Sequence, residues 1–457
     1  CGGSLETAGI GGTGISYGTV TDFGSIIVNG SRLDDSTATV TLDGIPGDVL
    51  LPHRGLKQGM VVKVSGTFSG NTGTASTIEY KDNLEGEVCA LAAPIVPPIV
   101  GIITLRVLGQ TVILDATTFV DNSTTIINAG DIVEVSGLRD DLEEIHASFS
   151  EVKTSTTEVE VKGRIDAVDD IAKVLTINAL NVNYLNIPGS APVVDQYVEV
   201  KGTVFSCGGA IDTLTATSVE LEPEGAGVIP TGDHAEVEGL ITEGLNLGSF
   251  KIGGQEVLIN GSTRFLPEDF DAGDILVGAK VEAEGSTSTN GVLAATKITF
   301  RENVKLESNV ATVSGNSPTF SFTLVGLPGI TITTNSATTP FPASPPSGHI
   351  RVRGIEGPNN TVLAIRIEDR GGSANAFLQG TVDREVGTEI TILGITVDTI
   401  LIVDNFPDSN PNFEDVHEQG ISRATFLDLV QPGTLVKFKG DIIGVSITWD
   451  EAELEDD

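Results

Sequence analysis

Six copies of one short strand pattern constrain this chain more than any other feature. Val62-Lys63-Val64-Ser65-Gly66, Val133-Glu134-Val135-Ser136-Gly137, Val198-Glu199-Val200-Lys201-Gly202, Val281-Glu282-Ala283-Glu284-Gly285, Ile350-Arg351-Val352-Arg353-Gly354 and Val436-Lys437-Phe438-Lys439-Gly440 each read apolar, charged, apolar, polar, glycine. Successive side chains on a strand point to opposite faces, so the apolar pair is expected in a core and the charged second position in water. The sign of that charge changes from copy to copy, which fits a requirement for solvation alone. Glu134→Lys is therefore expected to be nearly silent, whereas Val135→Asp places a charge in a core. The pattern is structural, not catalytic. Gly59, Gly130, Gly278 and Gly433 stand ahead of four copies and suit a turn entering the strand.

Other strands recur in fixed relation to this one. Gly18-Thr19-Val20, Gly86-Glu87-Val88, Gly163-Arg164-Ile165, Gly239-Leu240-Ile241 and Gly380-Thr381-Val382 open five units, and Ala311-Thr312-Val313 takes that place in the fifth of the six. Between opener and anchor lies an alternating pair split by a short turn, as in SIIVNGSRL or EITILGITVDTI, which predicts a hairpin. A further short strand follows each anchor, as in TASTIEY or LAATKITF. Intervals between anchor glycines run from 65 residues (Gly137 to Gly202) to 86 (Gly354 to Gly440). Five strands with a connection between the third and fourth match a small OB-type Greek-key barrel, with a small sandwich as the alternative closure.

The expected architecture is all-β: a tandem array of about six small OB-like barrels, following one another like beads on a string. After a Gly-rich N-terminal arm over 1–15, the barrels fall at 16–81, 82–153, 154–222, 223–302, 303–370 and 371–457. Their cores are aliphatic, since aromatics make up only 5% of the chain. Short helices are allowed over Pro267-Glu268-Asp269-Phe270 and from Ser422 to Leu429. The turn-rich junctions near Glu222 to Asp233 and Asp369 to Asn375 are expected to be where a protease cuts first.

Charge excludes one class of partner. With 26 Lys+Arg against 63 Asp+Glu the formal charge is −37, a field that repels phosphate backbones, so no nucleic-acid role is expected. The sequence begins Cys1-Gly2-Gly3-Ser4, as a mature bacterial lipoprotein does when its N-terminal cysteine carries the acyl chains that hold it to a membrane. On that reading the protein sits at the bacterial outer-membrane surface or is shed from it. Cys89 and Cys207 lie on different expected strands, and both a disulfide and two buried free thiols are open to them.

The start CGG followed by GIGGTGISYGTVTDFGSIIVNG resembles bacterial secreted lipoproteins built from repeated small β-barrel domains of unknown function, best over Gly9 to Leu33. The resemblance implies export and OB-like repeats, and it brings no catalytic residues.

A search for chemistry is mostly negative. Gly9-Ile10-Gly11-Gly12-Thr13-Gly14 fits G-x-G-x-x-G, but a strand rather than a helix is expected after it, so a phosphate finds no helix N-terminus. His53, His146, His234, His349 and His417 fall in different units with no ligand spacing. The loop Asp408, Asn410, Asn412, Glu414 begins like an EF-hand, but Phe413 stands where the turn glycine belongs, so Ca²⁺ is a weak candidate and no other cofactor is expected. A glycan site is disfavoured by a single tryptophan, Trp449. What remains is a non-enzymatic surface protein. The expectation is the subunit of an extracellular filament, a homopolymer linked head to tail by the N-terminal arm through Ser4, Leu5, Ile10, Ile15 and Tyr17; the alternative is a monomeric stalk or adhesin binding a glycan or Ca²⁺.

Overall fold

The structure, a computed structural model, describes residues 11–23, 25–69, 72–97, 99, 103–115, 117–121, 126–154, 158–188, 191–227, 229–266, 270–288, 291–300, 304–317, 319–334, 343–357, 360–407, 411–416, 419–431 and 434–455. Strands dominate. The described residues hold one α-helix, Arg423–Leu429, within the stretch where the sequence allows a short helix, and the Ser422 hydroxyl caps it by accepting from Thr425 N.

The first repeat shows how the alternating segments close. Its strands are Gly11–Asp22, Ile26–Val28, Ser31–Asp34, Val61–Ser69 and Thr72–Tyr80. Neighbours run antiparallel from first to second to third, the third lies parallel to the fifth, and the fifth and first flank the fourth. The hairpin turns on Asn29 and Gly30, both at positive φ (53° and 71°), the conformation that an Asn-Gly pair adopts at little cost. Val20, Ile26, Val28, Leu33, Val62, Val64 and Ile78 point inward and make an aliphatic core. This is the Greek-key order expected of an OB-type barrel.

The same order recurs with first strands at Leu84–Leu91, His234–Asn246 and Val304–Asn316, and in the third repeat with the first strand broken into Val159–Arg164 and Ala167–Asp169, the latter pairing with the hairpin. In the last repeat, which starts at Asn375–Val386, the short strand Phe413–Glu414 takes the place beside Ser446–Leu454 that the third strand holds elsewhere. In the fifth repeat Val310, opposite Leu324, occupies the position that Val20 holds opposite Val28. Its opener is thus Ser308-Asn309-Val310, three residues before the expected Ala311-Thr312-Val313, and the buried Ser308 stands where other repeats carry glycine.

The anchor glycine has a steric cause. At Gly137 the fourth and fifth strands slip register, because Ser136 faces Phe149 and Gly137 faces Ala147, leaving an extra residue on the fifth strand. The bulge drives the His146 carbonyl onto Gly137, where a Cβ would stand 2.1 Å from that oxygen. Gly66, Gly202, Gly285, Gly354 and Gly440 sit at the same slip.

The chain divides into two compact units, Cys1–Pro97 with Thr104–Leu114 and Thr118–Phe300, and Pro98–Ile103 with Asp115–Thr117 and Arg301–Asp457. Within each, the barrels are joined more tightly than beads. Over Gly14 to Tyr17 the first strand uses both edges, antiparallel to Val61–Ser69 and parallel to His234–Asn246 of the fourth barrel. Leu84 and Glu85 of the second barrel pair with Val161 and Glu160 of the third. In the other unit Lys305 to Glu307 pairs with Phe377 to Gln379. The barrels therefore share backbone hydrogen bonds, and the junction from Glu222 is packed, with Ala226 and Ile229 both buried.

Candidate functional site

The outer faces of these joined strands carry charges, and there the expected facing fails. Glu134, Glu199 and Glu282 are only 6%, 9% and 2% exposed, and Lys63, Arg351 and Lys437 are half-buried. The alternation itself is right, because Val133 and Val135 are fully buried in the barrel. A neighbouring barrel, not water, covers the other face. Glu134 accepts a 2.7 Å hydrogen bond from the Tyr80 hydroxyl of the first barrel and another at 2.7 Å from Lys153, so Glu134→Lys would strand two partners rather than pass silently.

Similar contacts tie the four barrels of residues 11–300 together. Lys57 of the first reaches Asp121 at 2.6 Å and Glu151 at 3.0 Å in the second. Ser16 and Thr19 of the first donate to Glu236 (3.1 Å) and Glu238 (2.9 Å) of the fourth. Cys89 and Cys207 form a disulfide between the second and third barrels, which resolves the two options open to them. A cavity of about 100 Å³ lies among Tyr17, Lys63, Asp82, Lys162, Tyr197 and Glu222, polar and of a size for a few waters.

Two buried clusters stand out, and both draw on residues distant in sequence. In the first, Lys162, 4% exposed, extends Nζ to Asp82 (2.8 Å), Glu160 (3.1 Å), Glu199 (3.1 Å) and Asp43 (3.6 Å). Burial raises the Asp43 carboxyl to about 6 and carries Asp82 well above the ordinary carboxylate range, in both cases against the pull of Lys162. Burial also disfavours charge on Glu160, but a hydrogen bond from Asp82 and the charges of Lys162 and Lys201 outweigh it and hold that carboxyl at about 2. In the second cluster Glu236, Glu282 and Glu284 bring oxygens within 4.8 Å of one another. Burial, then the charges of Glu282 and Glu284, raise Glu236 to about 8, so it is protonated at neutral pH. Lys297 lies 2.7 Å from Glu284 and 3.8 Å from Glu282. The arrangement clamps strands together; each charge faces another protein group.

The residues singled out from the sequence are placed as follows. Ile15 is buried and Tyr17 half-buried, both in the doubly paired stretch of the first strand; with its two edges taken inside the chain, they are not free to link copies. Burial raises the Tyr17 hydroxyl, followed by Tyr197, Glu238 and Glu224 nearby. Cys1, Ser4, Leu5 and Ile10 lie outside the described residues, as do Asp408 and Asn410. Asn412 turns its amide N–H to the Val403 carbonyl at 3.0 Å, and Glu414 pairs in register with Glu453. These are loop-holding roles. His146 contacts Asp140 at 3.1 Å, while His349 is buried between Glu307 (3.1 Å) and Asn309 (3.2 Å). The signal that could have found the clusters is a doubled charge ladder: His234-Ala235-Glu236-Val237-Glu238 on a first strand and Val281-Glu282-Ala283-Glu284 on the fourth strand beside it.

Residues 17–79, 101–148 and 238–299 match a domain of unknown function, DUF5666. These segments fall in the first, second and fourth barrels, and the third has the same strand order without the match. No curated protein and no solved structure matches the chain. In sequence these three segments are similar to that domain of unknown function, and in the structure they fall within repeated small β-barrels.

Proposed function

We propose that the chain is a non-enzymatic structural protein acting outside the reducing cytosol, as the subunit of an extracellular filament. The observation that carries this reading is the pairing of Gly14 to Tyr17 with His234 to Val237, which joins the first barrel to the fourth through backbone hydrogen bonds and spends the outer strand faces on internal joints. Such joints suit a stiff body that bears load or spaces contacts. The Cys89–Cys207 disulfide fits an oxidising compartment, and the charge of −37 keeps a displayed surface hydrated. Ile45–Pro46 ends its sheet beside the exposed Val49, Leu50 and Leu51, a receiving edge for a segment of another copy. With Ile15 and Tyr17 committed inside the chain, the linking segment in this proposal is the stretch before Gly11.

One observation favours the adhesin alternative. A groove of about 290 Å³ on the third barrel is lined by Tyr184, Leu185, Pro188, Pro192 and Gln196, a mix of ring, apolar and amide groups that suits a small ligand. Negative-stain electron microscopy of the purified full chain over a concentration series separates the readings. Fibres that disappear when residues 2–10 are deleted are expected; single particles at every concentration would contradict the filament.

A further inference from the structure

The cluster around Lys162 is composed like a self-ligating joint. Its amine comes from the first strand of the third barrel and the Asp82 carboxyl from the junction just ahead of Leu84–Leu91 of the second: Lys162 N donates to the Asn83 carbonyl at 2.9 Å, just beyond the pairing of Val161 with Leu84. Their side chains meet in the interior, where Nζ lies 2.8 Å from Asp82 Oδ1 and the two residues are 4% and 3% exposed. Glu160 stands beside both, 3.1 Å from Nζ. A nucleophile, a carboxyl acceptor and a second carboxylate able to carry a proton are thus held at contact distance in a largely buried site beside a small polar cavity.

We propose that Lys162 and Asp82 condense spontaneously into an isopeptide bond, with Glu160 as the proton carrier. Glu160 carboxylate takes a proton from the Lys162 ammonium, and the free amine attacks Cγ of the protonated Asp82 carboxyl. The tetrahedral adduct then expels water as the C–O bond breaks. An ammonium, a carboxylic acid and a carboxylate become an amide, a water and a protonated Glu160, so atoms and charge balance. Asp82 is the acceptor among the four carboxyls because it lies nearest and because burial pushes it toward the neutral form, whereas Glu160 is held toward the ionised form.

Burial opposes the charge on Lys162, but its carboxylate neighbours outweigh that and favour it, so proton transfer to Glu160 runs uphill and sets the pace of the step. Fixed proximity replaces a bimolecular encounter, which raises the rate of such a reaction by orders of magnitude. The equilibrium also differs from that in water. Hydrolysis of the amide would restore ions to a buried site where ions are costly, so the closed form is favoured there. The bond would join the second and third barrels, the same two that Cys89–Cys207 connects.

Mass spectrometry of the purified, reduced and alkylated full chain tests this. The intact mass is expected to fall below the sequence value by one water. Trypsin should yield a branched peptide joining 82–106 to 154–164, uncut after Lys162. Glu160→Gln should restore the full mass and the two separate peptides while leaving the circular dichroism of the strands unchanged. A wild-type chain of full mass cleaved normally after Lys162, or a loss of water located at any other residue, would overturn the proposal.

Discussion

Replacing Lys162 with methionine should destabilise the unit formed by residues 11–300 by about 3–5 kcal/mol, the cost of removing one partner from a buried ion cluster. Asp43, Asp82, Glu160 and Glu199 come from three barrels and converge on this one nitrogen, so its loss leaves four carboxyl groups without their shared partner where little water reaches them. Methionine fills nearly the same volume, which confines the change to the nitrogen's charge, its hydrogen bonds and its proposed bond to Asp82. Urea unfolding followed by circular dichroism measures the effect, with Lys251→Met as the control. Lys251 meets Glu243 at the surface, where solvent screens the pair, and its loss should leave the midpoint nearly unchanged. Equal effects of the two substitutions would show that the barrels do not depend on the buried cluster.

Gly137→Ala is the second substitution with a large expected effect, about 3 kcal/mol, at the upper end of overpacking costs because backbone and not a flexible side chain must yield. The added Cβ would stand 2.1 Å from the His146 carbonyl and 2.7 Å from Ala147 Cα, so the bulge that lets the barrel close would have to open. The same change at Gly261, which has nothing within 4 Å, is the comparison and should be close to neutral. Thermal unfolding of both variants decides the matter. A Gly137→Ala protein as stable as Gly261→Ala would remove the steric account of the repeat.

The reasons why some of this was legible in the sequence and some was not are physical. A strand's two-residue period and the glycine at the bulge are local demands, met within five residues, so the six anchors and their hairpins could be read directly. The third strand's parallel contact with the fifth follows from the number and order of strands, which is why the barrel could be named before its closure was seen. What covers the outer face is not local. Glu134 faces Tyr80, and Ser16 faces Glu236 across 220 positions, so charges that look like solvent contacts turn out to be joints. For the same reason Cys89 and Cys207 could be left undecided from sequence, although the fold brings them together. Flanking glycines give Tyr17 the look of a linking arm, but in the fold they begin a strand with a neighbour on either side. The slip at the fifth opener arose because Ser308 performs, while buried, the part that glycine has in its sister repeats.

Limited proteolysis tests most directly whether these barrels are joined rather than strung. The stretch from Glu222 to Asp233 is rich in turn residues, yet Glu222 holds Lys81 at 2.6 Å and Ala226 is 1% exposed, whereas Gly371 and Gly372 lie exposed in a turn between two barrels of the other unit. Timed digestion with a protease of broad specificity, with cut sites read by mass spectrometry, should give early cleavage between Arg370 and Asn375 while 222–233 stays intact. Early cleavage within 222–233 that releases the first three barrels as a separate folded fragment would contradict the joined unit.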